Sequence, residues 1–478
     1  MLRLWPCAGT TARPPLGWAA TTLRRRLLTQ AEPSCHRRLG RDQRRGSRNT
    51  PQLAERTTTT TATSSSSSSS LGKPPATRDH AFSSFAFAFD IDGVLYRGGQ
   101  AIPGAREMLR SIRRKDIRYV FLTNGGGTHE TAKADSLAKR LGLSPDEEDV
   151  VRDRVILSHT PMRGWADEVK QQTVLVTGSH PETARRIANE YGFSRAVTPA
   201  DLIHANDKLY PFDNLKETLH AEFRPLPDGK SAAGAPADPY SRDLLAADAL
   251  KIDKILVWND PRDWSLDIQV IHDLLVSRGG HLGTVSDRNG DRSLPNNGWQ
   301  QDGQPELWIS NLDLVWKTEF PVNRFGTGAF VAALQGVWAA VTNGGAELQY
   351  QALGKPSRFT YEYAHARLVR DHAVGSTSTS GSESRGKDTT APPIKRVYMI
   401  GDNPESDIRG ANEFRPEDGT EWVSVLVRTG VWRQTAAEKG PRYKPAVIVD
   451  DVVDAIVWAL RNEGVDGASR DWLLEGGQ

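Results

Sequence analysis

The sequence predicts an α/β fold built on a doubly wound parallel sheet. Apolar segments of strand length, such as residues 85–91 and 119–122, alternate with segments of helical periodicity. Strands that alternate with helices form right-handed βαβ units, and such units build a parallel sheet. Acidic or polar residues directly follow several of these strands, where the reactive end of a parallel sheet lies. The 478 residues exceed what one core needs, which indicates two domains with additional tails.

Residues 1–50 form a basic segment that we interpret as a mitochondrial transit peptide. They contain eleven arginines, no lysine and only Glu32 and Asp42 as acids, which gives a net charge of +9. An Arg-rich, acid-poor composition with Ser and Thr is typical of such peptides. A basic tail without a targeting role and an RNA-binding arm are the alternatives. Because the whole chain carries +2, the remainder carries −7, which argues against general nucleic-acid binding.

A polar linker and a cysteine-free body are expected to follow. Residues 51–78 contain threonine and serine runs that cannot bury enough apolar surface to fold, so we expect a disordered linker there. Both cysteines, Cys7 and Cys35, precede the linker, which excludes disulfides and a cysteine-ligated metal in the body from Asp79 onward. The most apolar run, residues 328–341, is too short for a membrane span and predicts a buried core helix.

The body is predicted to contain a core in two parts with a domain inserted between them. The predicted regions are a first core part at 79–172, a cap domain at 173–321, a second core part at 322–465 and a tail at 466–478. Within them, residues 222–247 are expected to be an exposed insertion, and residues 372–393 a disordered one. Further strands are predicted at residues 155–157, 173–176, 397–400, 423–427 and 446–449, and a helix is predicted at residues 131–141, ended by Gly142.

Two acids at the end of the first strand are catalytic candidates. Asp90 and Asp92 lie in Asp90-Ile91-Asp92-Gly93, directly after an apolar run. One carboxylate can attack phosphorus, while the other can protonate the leaving oxygen and then activate water. Considered alone, this motif also fits a calcium loop or a plain turn.

Three further segments place polar groups at strand ends or in loops. Thr123 and Asn124 follow the second strand, and a hydroxyl with backbone N–H groups can hold phosphate oxygens. Lys355 stands beside a rigid turn and can neutralise the charge of a nucleophile and a phosphate. Asp402 and Asp407 bracket a turn after an apolar strand, and hard oxygen ligands suit Mg²⁺. Considered singly, these segments also fit an ordinary turn, a surface lysine and a helix cap.

Taken in this order, the four segments resemble the four motifs of the haloacid dehalogenase (HAD) superfamily. The resemblance implies that Asp90 is the nucleophile, that Asp92 is the general acid and base, and that Lys355 orients the substrate and balances charge. Phosphatases and mutases of this family keep an acid at the place of Asp92, which implies phosphoryl transfer onto water or a hydroxyl.

The same resemblance implies a phosphoryl site and a metal site. The residues that would bind the phosphoryl group are Thr123, Asn124 and Gly125. The metal would be Mg²⁺, and its site would comprise Asp90, Asp92 through its carbonyl, Asp402 and Asp407, the last either as a ligand or as a support for the others.

The placement of the inserted domain resembles one subgroup, class IIA, whose cap is itself an α/β domain of C2 type. The stretch between Asn124 and Lys355 is too long for the core alone, and residues 90–98 and 309–313 resemble the opening and the cap-closing element of that class. Four segments look like the "cat eye syndrome critical region" type of HAD hydrolase and its fungal relatives, which are described as mitochondrial: residues 123–127, 258–264, 325–330 and 401–407.

The resemblance implies a Mg²⁺-dependent phosphatase that acts on a small phosphorylated metabolite in the mitochondrial matrix. It also implies a homodimer, since class IIA proteins often pair through their caps. An inactive binding or scaffold protein on the same fold and a phosphomutase are the alternatives. On the cap, Asp260, Arg262, Asp263 and Trp264 are candidates for substrate selection, although they also fit a polar turn followed by an amphipathic helix.

Overall fold

The computed structural model describes residues 82–232, 249–374, 393–434 and 440–475, and for residues 370–374 it describes the backbone alone. The predicted transit peptide, the linker, the start of the body at Asp79 and most of the two predicted insertions lie outside these ranges.

The strands and helices of the described residues follow one another in a regular βα pattern. The strands are β1 (Phe85–Phe89), β2 (Tyr96–Arg97), β3 (Gln100–Ala101), β4 (Arg118–Leu122), β5 (Val155–Ile156), β6 (Thr173–Thr177), β7 (Arg195–Val197), β8 (Lys254–Val257), β9 (Glu306–Ile309), β10 (Val315–Trp316), β11 (Arg324–Phe325), β12 (Gln351–Ala352), β13 (Arg396–Gly401), β14 (Glu421–Val427) and β15 (Val447–Val449). The helices are α1 (Ala105–Arg114), α2 (Glu130–Leu141), α3 (Asp167–Lys170), α4 (Pro181–Glu190), α5 (Pro199–Ala205), α6 (Trp264–Val276), α7 (Thr327–Val341), α8 (Arg358–Val374), α9 (Arg409–Glu413), α10 (Val452–Asn462) and α11 (Arg470–Leu474).

The core is a six-stranded sheet in the order β15-β14-β13-β1-β4-β5, and all neighbouring strands are parallel. The order of connection reverses between β1 and β13, where a doubly wound sheet opens a crevice at the carboxyl ends of its strands. This is the HAD-like Rossmannoid core that the sequence predicts.

Strand β1 shows how the sequence builds the two covered faces of this sheet. Its residues alternate between phenylalanine and alanine, and a strand points successive side chains to opposite faces. The phenylalanines pack in the cluster that contains α1, α2 and α10, whereas Ala86 and Ala88 pack with Tyr361 and Leu368 of α8. Full burial of a Phe side chain stabilises a fold by about 1.5–3 kcal/mol, so β1 contributes strongly to the core.

The inserted cap has a second parallel sheet, in the order β12-β9-β8-β6-β7. Leu175 of β6 faces a cluster with α6 and α7, while Val174 and Val176 face the opposite cluster with α4. The order of connection reverses between β6 and β8, so the cap has its own crevice at the carboxyl ends of these strands.

The cap extends further along the chain than the predicted boundary at residue 321. Phe330, Leu334 and Trp338 of α7 pack in the cap cluster, and β12 pairs with β9 as the edge strand of the cap sheet. A two-residue edge strand has no local sequence signal, because its pairing comes from a distant partner. Helix α7 and strand β12 thus pack with the cap.

Helix α7 also differs from the predicted buried core helix. One face packs on the cap sheet, whereas Val337 and Val341 on the other face are exposed. The run is apolar all round, so periodicity could not distinguish a half-buried helix from a fully buried one. None of the described helices is long and apolar enough to cross a membrane.

Two other predicted regions take part in the packing. The predicted tail at 466–478 contains α11, and Leu473 of this helix is buried in the core cluster. The predicted exposed insertion at 222–247 includes Leu226 and Ala232, which are buried in the cap cluster. Both regions are rich in polar residues, and the few apolar side chains that anchor them are not periodic.

Candidate active site

The first and last motifs meet where the core sheet reverses its order. Asp90 follows β1, Asp402 follows β13, and these strands are paired neighbours. The backbone N–H of Asp90 donates to the carbonyl of Ile400 at 2.9 Å, which continues the ladder up to the two acids. Gly93 has φ 89°, a left-handed conformation that side chains rarely adopt. A Cβ at this position would collide with the Asp402 carboxylate, so glycine allows the two loops to approach.

Three carboxylates and one lysine form the centre of the site. Oxygen atoms of Asp90, Asp402 and Asp407 lie within 4.8 Å of one another, and all three residues are buried. The ammonium of Lys355 lies 2.7 Å from Asp90 Oδ1 and 2.6 Å from Asp407 Oδ1. Three acids therefore face one cation, and the buried cluster carries excess negative charge when its acids are ionised.

The protonation equilibria reflect this excess. Burial raises the pKa of Asp90 to about 6; Lys355 opposes this shift, and Asp407 adds to it. Burial, Asp90 and Asp407 raise the pKa of Asp402 well above its ordinary value. A divalent cation among these oxygens would relieve the repulsion, and a set of carboxylate oxygens is the donor set that Mg²⁺ prefers. The residues present therefore fit a Mg²⁺ ion.

Asp407 shapes the loop that presents Asp402. Its Oδ2 accepts backbone N–H bonds from Asp402 at 3.1 Å and Asn403 at 3.0 Å, while its Oδ1 contacts Lys355. Asp402 in turn accepts the N–H of Val431 at 2.6 Å through Oδ2. Asp407 thus holds both the loop and the lysine, which favours the supporting role over direct metal ligation.

Thr123 and Asn124 are buried at the end of β4, but their side chains have different partners. Thr123 Oγ1 accepts the N–H of Gly125 at 3.0 Å. Asn124 Oδ1 accepts the N–H of Lys355 at 2.6 Å, and its Nδ2 donates to the carbonyl of Lys355 and to Asp313 Oδ2, both at 2.9 Å. The predicted role of Asn124 in phosphoryl binding therefore does not extend to its amide group, which fixes the backbone of Lys355.

Asp92 lies at the edge of the cluster and contacts a residue that the motifs do not include. Its Oδ2 accepts a hydrogen bond from Lys133 Nζ at 3.1 Å, and the same ammonium donates to Tyr96 OH at 2.9 Å. Lys133 lies in α2, 41 residues beyond Asp92. No local pattern marks this lysine, because its importance depends on the packing of α2 beside the first loop.

Asp313 is a second residue whose role sequence reasoning missed. Its two oxygens accept hydrogen bonds from the side-chain amides of Asn124 at 2.9 Å and Asn403 at 3.1 Å. Burial raises the pKa of Asp313 to about 6, against the opposing effect of Lys355. The residue belongs to the segment at 309–313 that resembles a cap-closing element. It connects the return from the cap to two loops of the active site.

The cap candidates mainly stabilise their own turn. Asp263 Oδ1 accepts the N–H of Leu266 at 3.1 Å and caps α6, and Asp260 Oδ1 accepts from Trp264 Nε1 at 3.0 Å. Arg262 is half exposed and lies within 3.9 Å of Asp260. These contacts match the alternative of a polar turn before a helix, and a role in substrate selection stays a prediction.

Other cap residues touch the core loop that follows β4. Ser179 Oγ donates to the carbonyl of Gly127 at 2.8 Å, and Asn259 Nδ2 donates to the carbonyl of Gly126 at 3.3 Å. Asn259 also accepts from Thr327 Oγ1 of α7 at 3.3 Å. Residues that follow β6 and β8 thus contact the loop that begins with Thr123.

Comparisons with known proteins agree with this geometry. Residues 87–194 match the model of the haloacid dehalogenase-like hydrolases, and residues 352–455 match a HAD-hydrolase-like model. A mitochondrial hydrolase of Saccharomyces cerevisiae is 34% identical over 381 residues, which cover 78% of this chain and 95% of that protein. A Schizosaccharomyces pombe fusion protein, cardiolipin synthase (CMP-forming) / mitochondrial hydrolase, is 34% identical over 376 residues, which cover 78% of this chain and 53% of that protein. The glycerol-3-phosphate phosphatase of Rattus norvegicus is 50% identical over 55 residues, which cover 12% of this chain and 17% of that protein.

Proposed function

Because the chain belongs to the haloacid dehalogenase-like hydrolase family and is thus an enzyme of the phosphatase type, we propose that it hydrolyses small phosphate monoesters through an aspartyl-phosphate on Asp90. The observation that carries the proposal is the buried contact of Lys355 with Asp90 and Asp407 beside Asp402. A lysine at 2.7 Å holds Asp90 ready as an anionic nucleophile and offsets the charge of an incoming phosphate.

Two steps follow from the placement of the acids. In the first, an oxygen of Asp90 forms a bond to phosphorus, the bond to the leaving oxygen breaks, and Asp92 gives that oxygen a proton. In the second, water attacks phosphorus, the bond to Asp90 breaks, and Asp92 takes the proton of the water. Splitting the displacement in two lowers the barrier of each part. Thr123 Oγ1 and the backbone of the loop from Thr123 to Gly125 would bind the phosphoryl oxygens.

A Mg²⁺ ion would be held by Asp90 and Asp402 and by the carbonyl of Asp92, with Asp407 as their support. When bound, it would neutralise charge on the phosphoryl group and on the carboxylates. The support for this metal is the excess of three buried acids over one lysine, which binding of a divalent cation would offset.

Hydrolysis of 4-nitrophenyl phosphate with Mg²⁺ tests the proposal. Asp90→Asn should reduce turnover below detection and should not form the acid-stable, alkali-labile phosphoenzyme that the wild type forms. Asp466→Asn, an exposed acid outside the site, is the matched control and should leave turnover unchanged. Equal and negligible rates in wild type and Asp90→Asn would instead favour a scaffold. With a sugar phosphate as the substrate, formation of the isomeric sugar phosphate without release of inorganic phosphate would favour a phosphomutase.

The cap favours a small metabolite as substrate. Ser179 and Asn259 bind the carbonyls of Gly127 and Gly126, so the cap loops lie against the phosphate-binding loop and restrict the approach of a macromolecule. A relative named glycerol-3-phosphate phosphatase fits this size. Phosphate release from a panel of phosphorylated sugars, polyols and nucleotides, measured beside a phosphoprotein, identifies the preferred class. A rate that is highest with the phosphoprotein would contradict the proposal.

We also propose that the enzyme acts in the mitochondrial matrix, as a homodimer. The support for the location is the composition of residues 1–50 together with two relatives named as mitochondrial hydrolases. A reporter fused to residues 1–50 should enter the matrix and be shortened there. Sedimentation of the purified protein measures the oligomeric state directly.

A further inference from the structure

A lysine outside the four motifs is bound to one of the two acids of the first loop. Lys133 Nζ donates to Asp92 Oδ2 at 3.1 Å, and no other side chain in the described ranges hydrogen-bonds Asp92. We infer that Lys133 is a positioning residue, which holds the carboxyl group of Asp92 in the orientation that exchanges a proton with the leaving group. The inference rests on the proposed function, because it needs Asp92 as general acid and base.

The contact between Lys133 and Asp92 is held at both ends. The ammonium of Lys133 also donates to the hydroxyl of Tyr96 at 2.9 Å and lies 5.6 Å from the centre of that ring. Tyr96 is buried in β2, and its carbonyl accepts the N–H of Gly93 at 2.8 Å, next to Asp92. Arg140 covers the same ring at 4.4 Å. The lysine, the tyrosine and the acid therefore form one fixed unit on the first loop.

This unit faces the predicted phosphoryl site. A Cβ built on Gly125 would lie 3.3 Å from Thr123 Oγ1, 3.6 Å from Lys133 Nζ and 3.9 Å from Asp92 Oδ2. The three groups thus surround one point beside the phosphate-binding loop. Lys355 contacts Asp90 and Asp407 instead. Each acid of the first motif therefore has its own lysine: Lys355 contacts the nucleophile Asp90, and Lys133 contacts the proton carrier Asp92.

The ammonium of Lys133 uses two of its N–H groups on Asp92 and Tyr96, so its role in this unit is to donate hydrogen bonds. Because Oδ2 of Asp92 is occupied by Lys133, Oδ1 is the oxygen left to give its proton to the leaving oxygen and to take one from water. Lys133 keeps its own protons in both steps.

The test uses two substrates whose hydrolysis depends to different degrees on protonation of the leaving oxygen. The nitro group of 4-nitrophenyl phosphate stabilises the departing oxyanion, whereas phenyl phosphate depends more on protonation. In Lys133→Met, kcat/KM for phenyl phosphate should fall by about 100-fold, within the range of general acid catalysis, and that for 4-nitrophenyl phosphate by less than about tenfold. Lys139→Met, an exposed lysine on the same helix, should change neither value. Equal losses with both substrates in Lys133→Met would overturn the inference.

A double-mutant cycle separates this inference from the proposed function. Asp92→Asn alone should show the same preference for the activated substrate, and adding Lys133→Met should cause little further loss, because both changes remove one unit. Additive losses would show that Lys133 acts independently of Asp92. Lys133→Gln keeps a hydrogen-bond donor and should lie between wild type and Lys133→Met, which preserves the test if the methionine variant folds poorly. Full activity of Asp90→Asn and Asp92→Asn would refute the proposed function itself.

Discussion

At the scale of single residues, two members of the predicted motifs act on Lys355 and its loop. Asn124 uses both ends of its amide on the backbone of Lys355, and Asp407 contacts its ammonium. A buried amide and a buried carboxylate must find partners, so these side chains fix the lysine when no substrate is present. The motif pattern locates such residues correctly, but it does not distinguish a group that touches substrate from one that holds another group in place.

The substitution Asp402→Asn tests the charge balance of the cluster. The neutral amide removes one of three repelling carboxylates, so without metal the variant should be more stable than the wild type. Mg²⁺ should stabilise the wild type by about 2.7 kcal/mol at a concentration 100-fold above its Kd, and this gain should disappear in Asp402→Asn. Thermal unfolding with and without Mg²⁺ measures both effects, with Asp466→Asn as the control. An equal Mg²⁺ shift in both proteins would place the ion elsewhere.

Gly430 gives a steric test of the same carboxylate. A Cβ at this position would collide with the side chain of Asp402, so Gly430→Ala should move the carboxylate from the hydrogen bond with Val431. We expect turnover to fall by about 100-fold, since small displacements in an active site have effects of this size. At Gly164 an added Cβ meets nothing within 4 Å, and Gly164→Ala is the matched control. Turnover of Gly430→Ala within twofold of wild type would show that the Asp402 position is not critical.

At the scale of elements, strands and helices with a strong local pattern were predicted close to their observed bounds. The predicted strand at 85–91 is observed at Phe85–Phe89, and the predicted helix at 131–141 is observed at Glu130–Leu141, ended by Gly142 with φ 66°. Strands β2, β3, β10, β11 and β12 were missed because each has two residues and is defined by its pairing. Strands β7, β8 and β9 of the cap were also missed, although they are short apolar segments. The site divides in the same way: Lys133 and Asp313 contact residues 41 and 189 positions away, and only the folded chain brings them together.

Asp313 joins the segment that returns from the cap to two loops of the core through hydrogen bonds with Asn124 and Asn403. The substitution Asp313→Ala should leave one N–H of the Asn124 amide and one of the Asn403 amide without an acceptor, and an unsatisfied buried donor costs about 1–3 kcal/mol. We therefore expect lower stability to urea and, because Asn124 fixes Lys355, a lower kcat with 4-nitrophenyl phosphate. Asp302→Ala removes a carboxylate within the cap and should affect stability without changing kcat. A normal kcat in Asp313→Ala would show that the hydrogen bonds of Asp313 are not needed for catalysis.

At the scale of the whole molecule, the core and the cap each contain a parallel sheet, and loops of the cap contact a loop of the core. Each sheet reverses its order of connection once, between β1 and β13 in the core and between β6 and β8 in the cap. The core crevice carries the acids and the lysine of the site. The cap crevice contains a different buried acid, Asp267 of α6, which accepts a hydrogen bond from Thr177 at the end of β6. We expect this acid to make the stability of the protein depend on pH.

Burial raises the pKa of Asp267 to about 7; the bond from Thr177 opposes this shift, and Asp263 and Asp260 add to it. An aspartate of the unfolded chain titrates near pH 4. Between these values the folded protein retains a proton that the unfolded chain releases, so stability falls as pH rises from about 4 to about 7. The slope from this group is at most about 1.4 kcal/mol per pH unit. Above about pH 7 both states have lost the proton, and the contribution becomes constant.

The variant Asp267→Asn isolates this contribution. Its amide oxygen can still accept the hydrogen bond from Thr177 but does not titrate, so its stability relative to wild type should increase from pH 5 to pH 7 and then level off. Thermal unfolding at several pH values between 5 and 8 measures the difference. Ser265→Ala alters an exposed side chain of the same helix that does not titrate, so its difference from wild type should be independent of pH. A constant difference for Asp267→Asn as well would mean that Asp267 is ionised in the folded protein at pH 5. A bound cation or water would then stabilise the buried carboxylate.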